Sequence, residues 1–311
     1  MTKPLLKIGT RGSPLALVQT AMVEAALQAA HLNLQLERVI IKTSGDWKPE
    51  DGEKRLSEVE GGKGLFAREI EKALLAGEID CAVHSMKDMP SFLPEGLALD
   101  HVLNRADPRD AFISRSVSSY TDLPPGAVVG TSSLRRQSFV LHKRPDLKIA
   151  PLRGNVATRL AKMDDGQVDA TFLALAGLQR LGMQGDYIHP LPTDEMVPAC
   201  GQGIVAIETR VNDLETRALL DYIHDRPTGL CGAVERAALQ VLDGSCHTPI
   251  GAYARLDGTT MMFDLVVASG DGTKVYREQD RADIHDTVKA IEFGRVVAGR
   301  LKARTPSDIF I

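Results

Sequence analysis

A strand–helix–strand pattern at the start of the chain constrains the fold most. Leu5 to Thr10 is an apolar run of strand length. Arg11-Gly12 can turn the chain, Ser13 can cap a helix, and Pro14 suits a first helical position. Leu15, Leu17, Val18, Met22, Val23, Ala26 and Leu27 then recur at helical spacing, and Leu34 to Thr43 returns as a strand. A unit of this kind predicts an α/β fold with a parallel or mixed sheet.

The pattern continues. After a helix over Leu65 to Ala76, Asp80 to Met86 reads as a strand ending in the turn Lys87-Asp88-Met89-Pro90. Leu97 to Leu103 is a further strand, and Asn104 to Asp110 reads as a polar linker at a domain boundary. A second α/β series follows, with strands ending at Gly130, Leu152 and Leu173 and helices after Thr131-Ser-Ser133 and after Arg153-Gly-Asn155. Arg180 falls on the next helix. Val197 to Gly203 is an apolar-to-glycine crossing that should return the chain to the first lobe by way of a strand over Ile204 to Glu208. From Thr228 the chain changes character: a helix over about Gly229 to Leu242 leads to three strand-like runs with Asp-Gly turns and a last helix over Ile284 to Lys302. The expected architecture is two α/β lobes plus a small C-terminal α+β unit with an antiparallel three-stranded sheet. The expected domains are 1–103 with 200–224, then 104–199, then 225–311.

Residues 46 to 62 break the periodicity. They are charged, hold Pro and several Gly, and suit either a lid or disorder. Gly61-Gly-Lys63-Gly64 closes this stretch but lacks the Walker spacing of a phosphate loop.

Composition narrows the function. Charged residues make up 25% and the net charge is −4, so the whole chain gives no reason to expect nucleic acid. No apolar run reaches transmembrane length and the N-terminus lacks a signal-like apolar core, so a cytoplasmic protein without membrane association is expected. Cys81, Cys200, Cys231 and Cys246 include no CxxC pair, and no metal site is expected.

Charge is nonetheless local. Between Thr131 and Leu160 stand Arg135, Arg136, Lys143, Arg144, Lys148, Arg153 and Arg159 against Asp146 alone. A solvated basic face is the plain reading. Placement offers another, because Arg11, Arg135, Arg136 and Arg153 sit at or near strand-to-helix turns. Helix N-termini there present unpaired N–H groups, and arginine adds a bidentate fork for carboxylate or phosphate. Asp88 stands at the carboxyl end of a strand, where open α/β sheets bind ligands, although a turn aspartate reads the same way. Cys246 lies in Asp243-Gly-Ser-Cys-His-Thr-Pro-Ile-Gly251, a tight loop between helix and strand. It is either a half-exposed structural thiol or a reactive one.

Taken in order, TRGSPLAL (10–17), GGKGLF (61–66), AVHSMKDMP (82–90), DPRDAF (107–112), VGTSSLRRQ (129–137), LRGNVATRL (152–160), GQG (201–203) and SCHTPIGAY (245–253) resemble the hydroxymethylbilane synthase, or porphobilinogen deaminase, family. Ser245 and His247 stand where many relatives carry Gly and Gln. The resemblance implies lobes like those of type II periplasmic binding proteins, and a dipyrromethane cofactor held by a thioether to Cys246. It implies condensation of four porphobilinogens with loss of ammonia, then hydrolytic release of the linear tetrapyrrole, by a monomer. Asp88 would be catalytic. Ser85, Lys87, Asp88, Thr131, Ser133, Arg135, Arg136, Arg153 and Gly154 would hold the cofactor. Arg11, Ser13, Lys63, Arg153, Arg159 and Arg180 would bind substrate. Each pyrrole ring brings two carboxylates, which explains an arginine-rich cleft in an acidic protein. Two other readings are a polyanion-binding protein without chemistry and a transferase with a free catalytic cysteine.

Overall fold

The computed structural model describes residues 5–44, 67–242 and 248–310. Three sheets organise them. The first has the order β2-β1-β3-β10-β4, from β1 (Leu5–Thr10), β2 (Gln35–Ile40), β3 (Cys81–Ser85), β4 (Leu97–Val102) and β10 (Val205–Arg210). The second has the order β7-β6-β8-β5-β9, from β5 (Asp110–Ile113), β6 (Val128–Gly130), β7 (Lys148–Ala150), β8 (Ala170–Ala174) and β9 (Ile188–Pro190).

The two orders are the same pattern. In each, three parallel strands are followed by an antiparallel strand, β10 or β5, and then by an edge strand. Each antiparallel strand is the first element after the chain has crossed from the other lobe. Residues 103–109 lead from β4 into β5, and residues 191–204 lead from β9 into β10. The expected return of the chain through the glycine crossing is therefore observed, with the strand running to Arg210.

Helix α1 (Pro14–Ala30) covers the first sheet. Its buried side chains Gln19, Thr20, Val23 and Leu27 recur three and four residues apart, and Ser13 caps it by accepting from Ala16 N at 3.3 Å. Val23 and Leu27 join Leu6, Ile8, Val83 and Ile207 in the lobe core. Complete burial of each such side chain stabilises by about 1.5–3 kcal/mol. Helix α2 (Arg68–Leu75) packs beneath the same sheet. Strand β2 is shorter than its apolar run suggests and mostly exposed, as suits a sheet edge. In the second lobe, α3 (Leu134–Lys143), α4 (Val156–Asp164) and α5 (Leu175–Arg180) follow β6, β7 and β8.

α6 (Leu214–Asp221) precedes α7 (Arg226–Val241), which starts three residues before the helix read from sequence because Asp225 caps Thr228 N at 2.9 Å. The third sheet is the antiparallel ladder β11 (Ile250–Asp257), β12 (Thr260–Ala268) and β13 (Val275–Asp283), covered by α7 and α8 (Thr287–Arg304). Strand β12 buries apolar side chains on both faces, although Asp264, paired with Arg277, interrupts the second. Met261, Phe263, Leu265 and Val267 face α7 and α8, while Val266 and Ala268 pack into the second lobe beside Tyr120 and Phe139. That double burial fixes the third sheet against the lobe.

The stretch from Asn104 to Asp110 differs from a solvated linker. Arg105 donates to Glu235 at 2.6 Å, to Gln202 O at 2.9 Å and to Ala254 O at 3.2 Å. Fully buried Glu235 also accepts from Gly201 N at 2.6 Å and Ala254 N at 2.8 Å. Both crossovers and the third sheet are therefore tied to one carboxylate. Gly203 lies within this junction at φ 88°, where a Cβ would come within 2.5 Å of Ala106 O, so only glycine fits.

Candidate active site between the lobes

The carboxyl ends of the parallel strands hold most of the residues singled out in the sequence. After β3 the chain makes one tight 3-10 turn, Met86–Asp88, anchored by Met86 N on Ile204 O at 3.0 Å. Lys87 and Asp88 leave this turn half-buried. Ser85 Oγ lies 2.8 and 3.1 Å from the two amide heavy atoms of Gln19, which reaches across from α1. After β6, Thr131 Oγ1 accepts from Ser133 N at 3.1 Å, and Ser133 caps α3 by accepting from Arg136 N at 3.4 Å. These hydroxyl oxygens order the turn, while their protons stay available to an incoming acceptor.

Arg135 and Arg136 do not lie open on a basic face. Both are buried, and the wholly buried Asp110 lies between them. Asp110 Oδ1 accepts from Arg136 Nε at 2.8 Å and pairs with Nη2 at 2.6 Å, and Oδ2 stands 2.7 Å from Arg135 Nη2. Arg136 Nη1 also donates to Phe172 O, and Arg135 Nη1 to Val197 O, at 2.7 and 2.8 Å. Burial alone would raise the Asp110 carboxyl, but the two guanidinium groups outweigh it and hold it below the ordinary range. Lys87 belongs to the same electrostatic group. Burial pushes its ammonium down to about 8 against the pull of Asp88, with further opposing effects from Arg136, Asp110 and Arg135.

After β7, Gly154 adopts φ 107°, and a Cβ there would meet Thr158 at 2.7 Å. Asn155 caps α4, and Arg159 Nε donates to Gly154 O at 2.9 Å, which holds the half-buried Arg159 against the turn that carries Arg153. Arg180, at the end of α5, donates to Gly203 O of the second crossover at 2.8 Å. Burial lowers its pKa. Arg11 is half-buried at the end of β1, and Ser13 spends its hydroxyl oxygen on the α1 cap. Arg135 and Arg136 are thus brought together around Asp110, and Lys87 shares the electrostatic surroundings of all three and of Asp88. Arg159, on α4, is held against the turn that carries Arg153, and Arg180 reaches the crossover. Cys246, Lys63 and the stretch 46–62 lie outside the described residues.

Asp110, Gln19 and the Arg105–Glu235 pair were not singled out by sequence reasoning. Asp110 was quoted within DPRDAF, but an acid among arginines reads as linker polarity until its burial is known.

The site fits a polyanionic prosthetic group on one specific ground. Arg135 Nε and Arg180 Nε are buried donors without a hydrogen-bond acceptor among the described residues. Buried N–H groups of this kind are costly unless a ligand oxygen completes them. Among the described residues no group of three or more His, Cys, Asp or Glu could hold a metal ion. No described helix is long and apolar enough to cross a membrane.

Comparison with known proteins agrees with this chemistry. Residues 6–218 match the family model "Porphobilinogen deaminase, dipyromethane cofactor binding domain", and residues 230–303 match the C-terminal domain of the same family. A porphobilinogen deaminase from Nitrobacter hamburgensis is 48% identical over 312 positions, covering 99% of this chain and 96% of the relative. A chloroplastic porphobilinogen deaminase from Oryza sativa is 48% identical, covering 98% of this chain and 86% of the relative. Among solved structures, a YaeC-family lipoprotein from Enterococcus faecalis overlaps 73% of this chain and 93% of its own at 11% identity and a TM-score of 0.46. An overlap at that level adds nothing to the strand orders given above. Two matched domains and near-complete coverage lead to one conclusion: the chain belongs to the porphobilinogen deaminase family.

Proposed function

We propose that the cleft between the two lobes is where this chain, a hydroxymethylbilane synthase of tetrapyrrole biosynthesis, carries out its transferase chemistry on porphobilinogen, with Asp88 as the catalytic carboxylate and Cys246 as the anchor of the dipyrromethane cofactor. The observation that carries the reading is the placement of Lys87 and Asp88 beside a buried arginine pair that has a donor to spare.

When bound, the cofactor would supply the free pyrrole carbon to which the first unit is joined. Arg135, Arg136, Arg153 and Lys87, with Ser85, Thr131, Ser133 and the backbone at Gly154, would hold its carboxylates by charge-assisted hydrogen bonds. Arg11, Arg159 and Arg180, with Ser13 and Lys63, would position the incoming substrate. Loss of ammonia from porphobilinogen leaves a cation on its pyrrole, and the Asp88 carboxylate stabilises that charge in a cleft partly closed to water. The same oxygen can pass a proton to the leaving amine and take one from the ring carbon. The domain division 1–103 with 200–224, 104–199 and 225–311, a monomeric state and a cytoplasmic location belong to the same proposal.

The test uses protein preloaded with cofactor. Asp88→Asn keeps the shape and removes the charge, and Asp88→Glu moves the charge by one methylene. Ammonia release should fall in the order wild type, Glu, Asn, with the Asn variant down at least about a hundredfold, within the usual range for loss of a general acid–base group. Wild-type release by Asp88→Asn would move the catalytic role to another residue.

A further inference from the structure

We infer that Asp110 is a positioning residue for cofactor loading, a built-in carboxylate that holds the Arg135–Arg136 pair in its receptive arrangement before the cofactor is attached. The inference rests on the cofactor reading given above and assigns a role to a residue that contacts the arginines rather than the reacting atoms.

The argument begins with charge. Arg135, Arg136 and Lys87 bring three cations into one largely enclosed space, and arginine cannot shed its proton. Asp88 and Asp110 are the acids among the neighbours that shift Lys87. Without Asp110 the two guanidinium groups would repel each other in a medium that screens poorly. The rest of the cage is neutral. Phe172 O from β8 and Val197 O from the second crossover each take one N–H, and the Asp110 backbone O accepts from Leu191 N at 2.9 Å. Asp110 is therefore fixed through its own main chain, at the first residue of β5, where the first crossover enters the sheet.

The geometry is uneven in a way that suits loading. Arg136 gives Asp110 two contacts on one oxygen and a third N–H to Phe172 O, so its fork is held firmly. Arg135 Nη2 meets Asp110 Oδ2 at 2.7 Å as an ion pair, while Arg135 Nε has no acceptor among the described residues. Asp110 thus neutralises Arg135 through one Nη and leaves its Nε for a ligand. A ligand carboxylate arriving at Arg135 meets a guanidinium that is already oriented, so little ordering cost remains at the moment of binding.

The test is the rate of loading in the full-length chain, produced in cells unable to make porphobilinogen and then supplied with it, with intact mass as readout. The wild-type chain should gain the dipyrromethane mass. Asp110→Asn should load about tenfold more slowly or worse, as loss of a charged partner implies. Asp110→Glu should recover part of the rate. Asp110→Ala should load as slowly as the Asn variant but regain several-fold when formate is added, because a free carboxylate can enter the space, whereas formate should not help Asp110→Asn. Loading of Asp110→Asn at the wild-type rate overturns the inference. So does an Asp110→Ala variant that is slow, thermally weakened and indifferent to formate, since that is the mark of a merely structural residue. A wild-type chain that never gains the mass refutes the cofactor reading and the inference with it.

Discussion

Replacing Glu235 by Gln should loosen the whole molecule although the residue lies outside the cleft. Glu235 is completely buried and receives Arg105 Nη1 at 2.6 Å, Arg105 Nη2 at 3.3 Å, Ala254 N at 2.8 Å and Gly201 N at 2.6 Å. Burial disfavours the Arg105 charge, but Glu235 outweighs it and raises the guanidinium above its ordinary value. Gln removes the charge and turns an NH2 group toward backbone N–H or guanidinium donors. Arg105 would keep the Gln202 and Ala254 carbonyls, so its loss is partial. Breaking a buried pair from one side costs about 3–5 kcal/mol. Urea unfolding followed by far-UV circular dichroism reads the change as a shift in midpoint. Arg105→Met should cost a similar amount. The double variant should be at least about 2 kcal/mol more stable than the sum of the singles, because no buried charge is then left alone. Additive effects, or single losses below about 1 kcal/mol, would refute the idea that this pair joins the crossovers to the third sheet.

Two further predictions concern pH. Lys87 has a folded pKa near 8 against an ordinary 10.5, so its buried charge costs stability below pH 8, and stability recovers as pH rises from 8 toward 10.5. Lys87→Met in the unloaded chain should gain on the order of 1–2 kcal/mol at pH 7, a value reduced for the partial exposure of the side chain, and lose most of that gain by pH 9.5, by melting temperature. Glu71 is buried, and desolvation with the nearby Glu208 raises it to about 7, only partly offset by His84 and Arg68. Its penalty is small below pH 4.5, grows between pH 4.5 and about 7 and is fully present above that, so Glu71→Gln should stabilise by about 2–3 kcal/mol at pH 8 and by little near pH 4.5, in urea titrations.

Local chemistry was readable in the sequence where it acts through neighbours in the chain. Ser13-Pro14 marked the start of α1, and the Asp-Gly turns marked the ladder from β11 to β13, because caps and turns depend on residues a few positions apart. Asp88 could be placed because the end of a parallel strand is a position that pattern alone defines. Long-range pairing was not readable. Asp110 and Arg136 are 26 positions apart, and Arg105 and Glu235 are 130 apart, and nothing in their spacing announces the contact. The arginines were expected to await a ligand. Burial changes their status, since a guanidinium enclosed in protein needs a protein counter-charge before any ligand arrives. The shared order of the two five-stranded sheets was hidden for a related reason. Its antiparallel strands β5 and β10 owe their places to the crossovers that precede them.

The central claim is that Cys246 anchors a dipyrromethane on which this chain builds its product. The most direct measurement is the intact mass of purified full-length protein, followed by proteolysis and mass mapping of the modified peptide. The account predicts the mass of one dipyrromethane, confined to the peptide that holds Cys246, and neither adduct nor turnover in Cys246→Ser. An unmodified chain that turns over porphobilinogen, or an adduct on Cys81, Cys200 or Cys231, would contradict it.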